Sequence, residues 1–509
     1  MISDNKRIAY NTIILYVKLI VSVVIGLYTS RLILLALGAS DFGLYNVVGG
    51  VVSLLNIIGV TMVSTSYRYI SVEIGKGEKG NPNKVYNTIL TIHVVLALLF
   101  ILFGVIIGFW YIDNYLYVDY GKISDARYVM VVSMITTALS ILSVPSNGLI
   151  IAREKFYFTS ITEITQTVLK LLLIVYVLKP YGGNRLRLYT NLVAFVTLLA
   201  PVSYTLYCYA KEGLITKWSF NKKWKDYFGV ISFTGWMMIS TLSFMGVAQG
   251  AAMIINYFFG TVVNAAFGIA NQVQSMLMLA PRVVLQATSP QIMKSYGEGN
   301  QERALSLVYL CTKYCFFIFL LIVVPCILFM DELLCIWLTD VPDYTSLFTT
   351  FMIIATLVGA LTNGLDPLVM ATGKIRFFQL GYAVIFLSLL PIIVLLYKLG
   401  FPPYSNAIVM IILTFLSIIT QLFIVCRISD FKIKDYFEHT LYPVLIVLVL
   451  ITPLFILRAF VSPSSTPSVF IMLFFSFVWV GGIIYFAGLT GEEKSNVQNI
   501  LIKKIGKRE

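Results

Sequence analysis

The sequence predicts an all-α polytopic membrane protein with about fourteen transmembrane helices, and three observations predict it. Of 509 residues, 59% are hydrophobic and only 12% are charged, against about 25% charge in a soluble domain. So few charges cannot clothe a water-facing surface, and most helix exteriors must face lipid. The apolar runs reach about 20 residues or more and lack the alternation of barrel strands. Backbone groups cannot stay open in hydrocarbon, which leaves the helix as the spanning element.

The runs fall at roughly 8–37, 42–71, 87–112, 125–151, 157–178 and 187–210, then at 229–257, 261–290, 303–330, 345–371, 376–398 and 404–427. Two more lie near 440–460 and 467–489. The predicted organisation is an N-terminal lobe of six spans (1–210), a linker (211–228), a second six-span lobe (229–428), and two last spans with a basic tail (429–509). The first run follows Lys6 and Arg7 as a signal peptide would. It is too long for a signal core, carries Lys18 and Arg31, and offers no clear small-residue cleavage site, so it reads as a span.

The linker, KEGLITKWSFNKKWKDYFG over 211–229, differs in kind. Phe220, Trp224 and Phe228 recur at i, i+4 and i+8 with lysines between them. That spacing predicts an amphipathic segment lying in the interface, anchored by aromatic rings and lysines.

The net charge of +13 does not signal nucleic acid, because the charges collect in short loops beside apolar runs. Fourteen spans put both termini on one side. Twenty-five of the 37 basic residues fall on that side, seven on the other, and five within spans. The positive-inside rule then predicts cytoplasmic termini in a bacterial inner membrane. Six cysteines form no CxxC pair and only two histidines exist, His93 and His439. No metal site and no cofactor are expected, and Cys311 and Cys315, four apart, read as small packing residues.

The two six-span sets resemble each other at matching places. FGLYNVV (42–48) opens the second span and FGIANQV (267–273) lies near the start of the eighth. The second ends in Thr65-Ser66 and then Gly75-Lys76-Gly77; the eighth ends in Thr288-Ser289 and then Gly297-Glu298-Gly299. The fourth and tenth share NGL, at 147–149 and 363–365, followed by A-x-x-K at Ala152 and Ala371. The three matches keep one order at offsets near 220. Lobes with even helix numbers are parallel repeats, and transporters built this way bind substrate between the halves.

The stretch SRLILLALGASDFGLYNVVGGV (30–51), with the Ala152–Phe156 and Ala371–Phe378 helix ends, resembles the polysaccharide flippases of the multidrug/oligosaccharidyl-lipid/polysaccharide exporter superfamily. The likeness extends over the whole chain in span number and repeat layout. It implies a V-shaped pair of six-helix bundles with the first, second, seventh and eighth spans lining a cavity, and no enzymatic activity. The implied cargo is an undecaprenyl-pyrophosphate-linked oligosaccharide for surface polysaccharide or lipopolysaccharide (O-antigen) biosynthesis, moved from the cytoplasmic to the periplasmic leaflet. Membrane lipid, a polysaccharide polymerase and glycosyltransferases are the expected partners.

Ionisable residues inside spans are costly and mark function by default. The basic ones are Lys18, Arg31, Lys170, Arg282 and Lys313; the acidic ones are Glu163 and Asp366. A basic excess suits a pyrophosphate, whose oxygens pair with guanidinium and ammonium donors in low dielectric. Arg31, Arg282, Lys313 and Lys18 are therefore the candidate cavity cations, and Asp366 and Glu163 candidate coupling carboxylates. Glu163 and Lys170, two turns apart, are also placed to neutralise each other. Gln249, Asn256, Asn271, Gln272 and Gln274 offer amides for sugar hydroxyls or, equally, for bonds between helices. Pro145, Pro201, Pro281, Pro290, Pro325, Pro367 and Pro391 interrupt spans and permit bending.

Three rival readings share these features. A cation-coupled drug exporter of the same superfamily needs cavity carboxylates, which the basic excess disfavours. A membrane enzyme needs catalytic residues on a substantial loop, and the segments at 113–124 and 331–344 are about a dozen residues without histidine. A peptidoglycan-precursor flippase would handle the same pyrophosphate.

Overall fold

The computed structural model describes residues 4–495 apart from 56, 115–119, 180–181, 339–340, 462 and 464, and every regular element among them is a helix. In chain order these are α1 (Asp4–Leu55), α2 (Ile57–Gly75), α3 (Pro82–Asn114), α4 (Ile123–Leu142), α5 (Val144–Ala152), α6 (Phe156–Val177), α7 (Arg185–Lys211) and α8 (Gly213–Thr216). Then follow α9 (Trp224–Leu277), α10 (Leu279–Gly297), α11 (Gln301–Leu328), α12 (Met330–Trp337), α13 (Thr345–Gly359) and α14 (Leu365–Thr372). The last are α15 (Arg376–Leu387), α16 (Leu389–Lys398), α17 (Ser405–Ile428), α18 (Ile433–Tyr436), α19 (Tyr442–Phe460) and α20 (Thr466–Ile483).

Eleven helices among the described residues are long and apolar enough to cross a membrane, and they coincide with the third to seventh and ninth to fourteenth runs. The first run holds a shorter apolar helix, Tyr10–Gly26. The second and eighth lie on α1–α2 and α9–α10, and in the eighth Asn271, Gln272, Gln274, Arg282 and Gln286 dilute the hydropathy.

The chain packs as two compact units: Met1–Met238 with Pro290–Asn300, and Ile239–Ser289 with Gln301–Glu509. In the first unit one core gathers Met62, Ile70, Tyr86 and Leu149, and another gathers Val48, Met130, Met134 and Ile174. In the second, Ile255, Phe267, Phe348 and Ile393 form one core and Phe317, Leu320, Val447 and Val480 another. Lipid tails are as apolar as these side chains, so close packing rather than escape from water holds such cores. Gly104 and Gly108 of α3, lying against Met134 and Met130 of α4, show how small residues permit that approach.

Backbone breaks recur at the repeat spacing. α1 breaks at Gly38 (φ 77°, ψ 167°) and α9 at Gly260 (φ 80°, ψ −175°), 222 residues apart, each where one apolar run gives way to the next. Only glycine adopts these angles readily. The offset matches that of Gly75 and Gly297. It follows that FGLYNVV and FGIANQV, at 225, are displaced by three residues, nearly one helical turn. The counterpart of Phe267 is Tyr45 rather than Phe42. Tyr45 meets Tyr189 edge-on at 5.1 Å, and Phe267 meets Phe348 at 5.6 Å.

Within the first unit the two equivalent helix ends touch. A Cβ on Gly75 would overlap the carbonyl oxygen of Lys294, and a Cβ on Gly297 would overlap that of Val72. Adding 222 to the pair 72 and 75 produces 294 and 297, so each contact is the other's image.

The linker corrects one expectation. Residues 217–223 are not helical, so Phe220 does not share a helix face with Trp224 and Phe228, which open α9. Side-chain amides claim the carbonyls here: Asn83 Nδ2 donates to Ile215 O at 2.8 Å and Lys217 O at 2.7 Å.

Candidate functional site

In the first unit, Lys18 of α1 donates to Glu163 of α6, with Nζ to Oε2 at 2.9 Å, and the Tyr204 hydroxyl donates to the same carboxylate at 3.3 Å. Glu163 therefore pairs with Lys18 and not with Lys170, correcting the two-turn pairing read from spacing. A long lysine on a neighbouring helix reaches a carboxylate more directly than one two turns along the same helix. Lys170 is partly buried, with no ion pair among the described residues. Arg31 lies on α1, but its side chain is outside the described residues.

In the second unit, Lys313 of α11 is buried and grips Glu493, with Nζ 2.6 Å from Oε1 and 2.8 Å from Oε2. Burial works against the Glu493 carboxylate. The Lys313 ammonium and the backbone N–H of Thr490, 2.8 Å from Oε2, outweigh it and hold its pKa below the ordinary 4.5. Lys313 is thus a compensated cation, a different state from the free one expected of a cavity. Asp366 on α14 is exposed to solvent.

The second unit also exposes amides and an arginine along α9 and α10. Gln249 and Asn256 of α9 are exposed two turns apart, with exposed Met253 between them and exposed Tyr257 beside them. Beyond the Gly260 break, Gly268, Gln272, Ser275, Arg282 and Gln286 are exposed at spacings that keep one side of the helix. The Arg282 guanidinium has no ion pair among the described residues. The lipid-type face of α17 exposes Ile408, Ile412, Phe415, Leu416, Ile419 and Phe423 instead. An arginine without an ion pair among amides is untenable against acyl chains, so the side that carries it must border water. It is the candidate site.

The other two predicted amides point elsewhere. Gln274 Nε2 donates to Thr356 Oγ1 of α13 at 2.6 Å, and Asn271 Nδ2 to Phe267 O of its own helix at 3.0 Å. Cys311 and Cys315 pack α11 against α10, the Thr288 hydroxyl donating to Cys311 Sγ at 3.0 Å. Among the described residues no cluster of metal-ligating side chains occurs.

Two groups escaped the sequence reading. Arg68 is buried on α2, its guanidinium 4.2 Å from the Tyr69 ring centre and 4.9 Å from that of Phe233. Glu154 adopts left-handed backbone (φ 58°) and accepts from Gln291 Nε2 at 2.5 Å. The signal for Glu154 lay in the repeat: 219 residues on stands Gly373, at φ 77°.

No protein-family model matches the chain. It is 19% identical over 286 residues to the uncharacterized membrane protein EpsK of Bacillus subtilis (strain 168), a match spanning 56% of each protein. The chain thus matches only about half the length of that relative. Among solved structures, a MATE in the bent conformation aligns with a TM-score of 0.71 at 14% identity, over 84% of this chain and 95% of that one. The MATE transporter ClbM in complex with rubidium aligns at 0.66 and 15%, over 85% and 96%. A MOP superfamily transporter from Pyrococcus furiosus aligns at 0.64 and 16%, over 84% and 96%. The chain is a multi-pass helical membrane protein with the fold of these transporters.

Proposed function

We propose that this chain is a membrane transporter that flips a lipid-linked oligosaccharide, with a pyrophosphate head group, from the cytoplasmic to the periplasmic leaflet of a bacterial inner membrane. The observation that carries the reading is Arg282, exposed and without an ion pair among the described residues, on a face that also exposes the amides Gln249, Asn256, Gln272 and Gln286 beside Met253 and Tyr257. A guanidinium pairs two phosphate oxygens at once, and the amides match the donors and acceptors of sugar hydroxyls. The compensated pairs Lys18–Glu163 and Lys313–Glu493 leave the free intramembrane balance basic, which favours an anionic cargo over a cationic drug. The Pyrococcus furiosus transporter is described as having a binding pocket of reversed polarity that suggests a different function, and a basic face here fits that variation. The resemblance in residues 30–51 supports the saccharide class.

A second reading, the cation-coupled drug exporter, draws on Asp366, an exposed carboxylate on α14. One experiment separates them. Proteoliposomes are loaded with an undecaprenyl-pyrophosphate-linked sugar, and leaflet exchange is read by protection from an external glycosidase. Exchange lost in Arg282→Ala supports the flippase. Absence of exchange in the wild type, with ethidium export that depends on Asp366, overturns it in favour of drug export.

A further inference from the structure

We infer that the segment from Lys211 to Phe228 is a pre-built platform for anionic phospholipid headgroups, separate from the cargo path. Five lysines, Lys211, Lys217, Lys222, Lys223 and Lys225, are exposed there beside exposed Leu214, Trp218, Phe220, Trp224 and Phe228. The two carboxylates of the segment make their ion pairs with basic residues outside it. Glu212 accepts from Arg153 at 2.9 Å, and Asp226 pairs with Lys84 at 2.6 Å. Lys223 lies within electrostatic reach of Asp226, and the other four lysines are left without an ion pair among the described residues.

A stretch outside any helix and carrying bulky apolar rings would normally be loose, and this one is tied down by side-chain bonds. Asn83 Nδ2 reaches the carbonyls of Leu214, Ile215 and Lys217, and Asn87 Nδ2 reaches Lys217 O at 2.9 Å. The Ser219 hydroxyl donates to Asn83 Oδ1 at 2.8 Å. Buried Asn221 donates to Thr88 Oγ1 at 2.9 Å and to Asp226 Oδ2 at 2.8 Å, and the Tyr227 hydroxyl closes on Asn221 O at 3.0 Å. Five of these eight bonds end on backbone carbonyls, three join side chains, and none engages a lysine ammonium. The platform runs straight into the spanning helix Trp224–Gly260, which sets its rings at the depth where indoles and phenyl rings meet headgroups. Fixed rings with free ammonium groups at that depth complement lipid phosphates, and ordering the segment in advance lowers the entropic cost of binding.

The test uses the purified full-length chain with an equal mixture of phosphatidylglycerol and phosphatidylcholine, bound lipids being counted by native mass spectrometry. The wild type should retain phosphatidylglycerol preferentially, less so as salt rises. The quadruple variant Lys217→Gln, Lys222→Gln, Lys223→Gln, Lys225→Gln should lose that preference by at least about tenfold. The same four positions changed to arginine should keep it. Equal retention of the two lipids by the wild type reduces the platform to plain interfacial anchoring and overturns the proposal. An unchanged preference in the glutamine variant, or an equal loss in the arginine variant, overturns it as well. None of the four side chains makes a bond that holds the fold, so misfolding does not mask the result. The cargo reading stands or falls separately, on Arg282.

Discussion

Glu493 sets both carboxylate oxygens on the Lys313 ammonium, at 2.6 and 2.8 Å, across 180 residues of chain. Removing one partner of a buried pair strands the other, at a cost of about 3–5 kcal/mol. Glu493→Gln should therefore lower the unfolding temperature of the detergent-solubilised protein markedly. Glu493→Leu combined with Lys313→Met should recover most of the loss, because hydrophobic replacement of a whole pair is often neutral. A double variant as weak as the single one would show that the charge itself is needed.

The same pair makes a pH prediction. The Glu493 pKa is lower in the folded protein than its ordinary 4.5, so its contribution is complete above that value and is lost as pH falls through the folded pKa. The melting difference between wild type and Glu493→Gln should stay constant from about pH 7 to about pH 5.5, then shrink in more acid buffer. A difference that instead shrinks as pH rises would contradict the sign of the shift.

Arg282 and Gln274 should separate into function and architecture. Arg282→Ala should abolish leaflet exchange at wild-type melting temperature, and Arg282→Lys should keep part of it if charge alone suffices. Gln274→Ala, which cuts the bond to Thr356, should lower stability by about 1 kcal/mol while exchange persists. Exchange measured at matched expression, alongside a melting curve, reads both.

The glycine contact predicts matched costs. Gly75→Ala and Gly297→Ala each drive a methyl into a carbonyl of the facing helix, and overpacking of this kind costs about 1–3 kcal/mol. The two losses should be similar in size, because the contacts are images of one another. Thermal unfolding of the two single variants checks this.

Topology is the last prediction. The 25 basic residues on the terminal side against seven opposite predict that both ends lie in the cytoplasm. A phosphatase fused after residue 509 should be inactive, and one inserted in the 179–186 loop active. The reverse pattern would remove the membrane orientation on which the proposed direction of transport rests.

Spans, repeat and polar inventory were legible in the sequence because each is a matter of local composition or period. Which amide points where was not. Gln272 and Gln274 differ by two positions, and a helix turns about 200° over that distance, so one is exposed and the other is bonded to α13. Ion pairing was misread for the same reason. Spacing along α6 put Lys170 beside Glu163, whereas Lys18 arrives from another helix. Nothing near Lys313 announces Glu493, because the partner lies 180 residues away. The Gly38 and Gly260 breaks corrected the register of the repeat, since a period seen in apolar letters slips easily by one turn, while a backbone that only glycine tolerates does not.

The reciprocal seat of Gly75 and Gly297 has a consequence for biosynthesis. Pro290–Asn300 belongs to the first unit although some fifty residues of the second precede it in the chain. A ribosome that has made residues 1–238 has not yet made the surface on which α2 rests. The nascent first unit must wait in the bilayer with its Gly75 side uncovered until residue 300 emerges, and a fragment ending at 238 should remain a client for membrane chaperones and proteases.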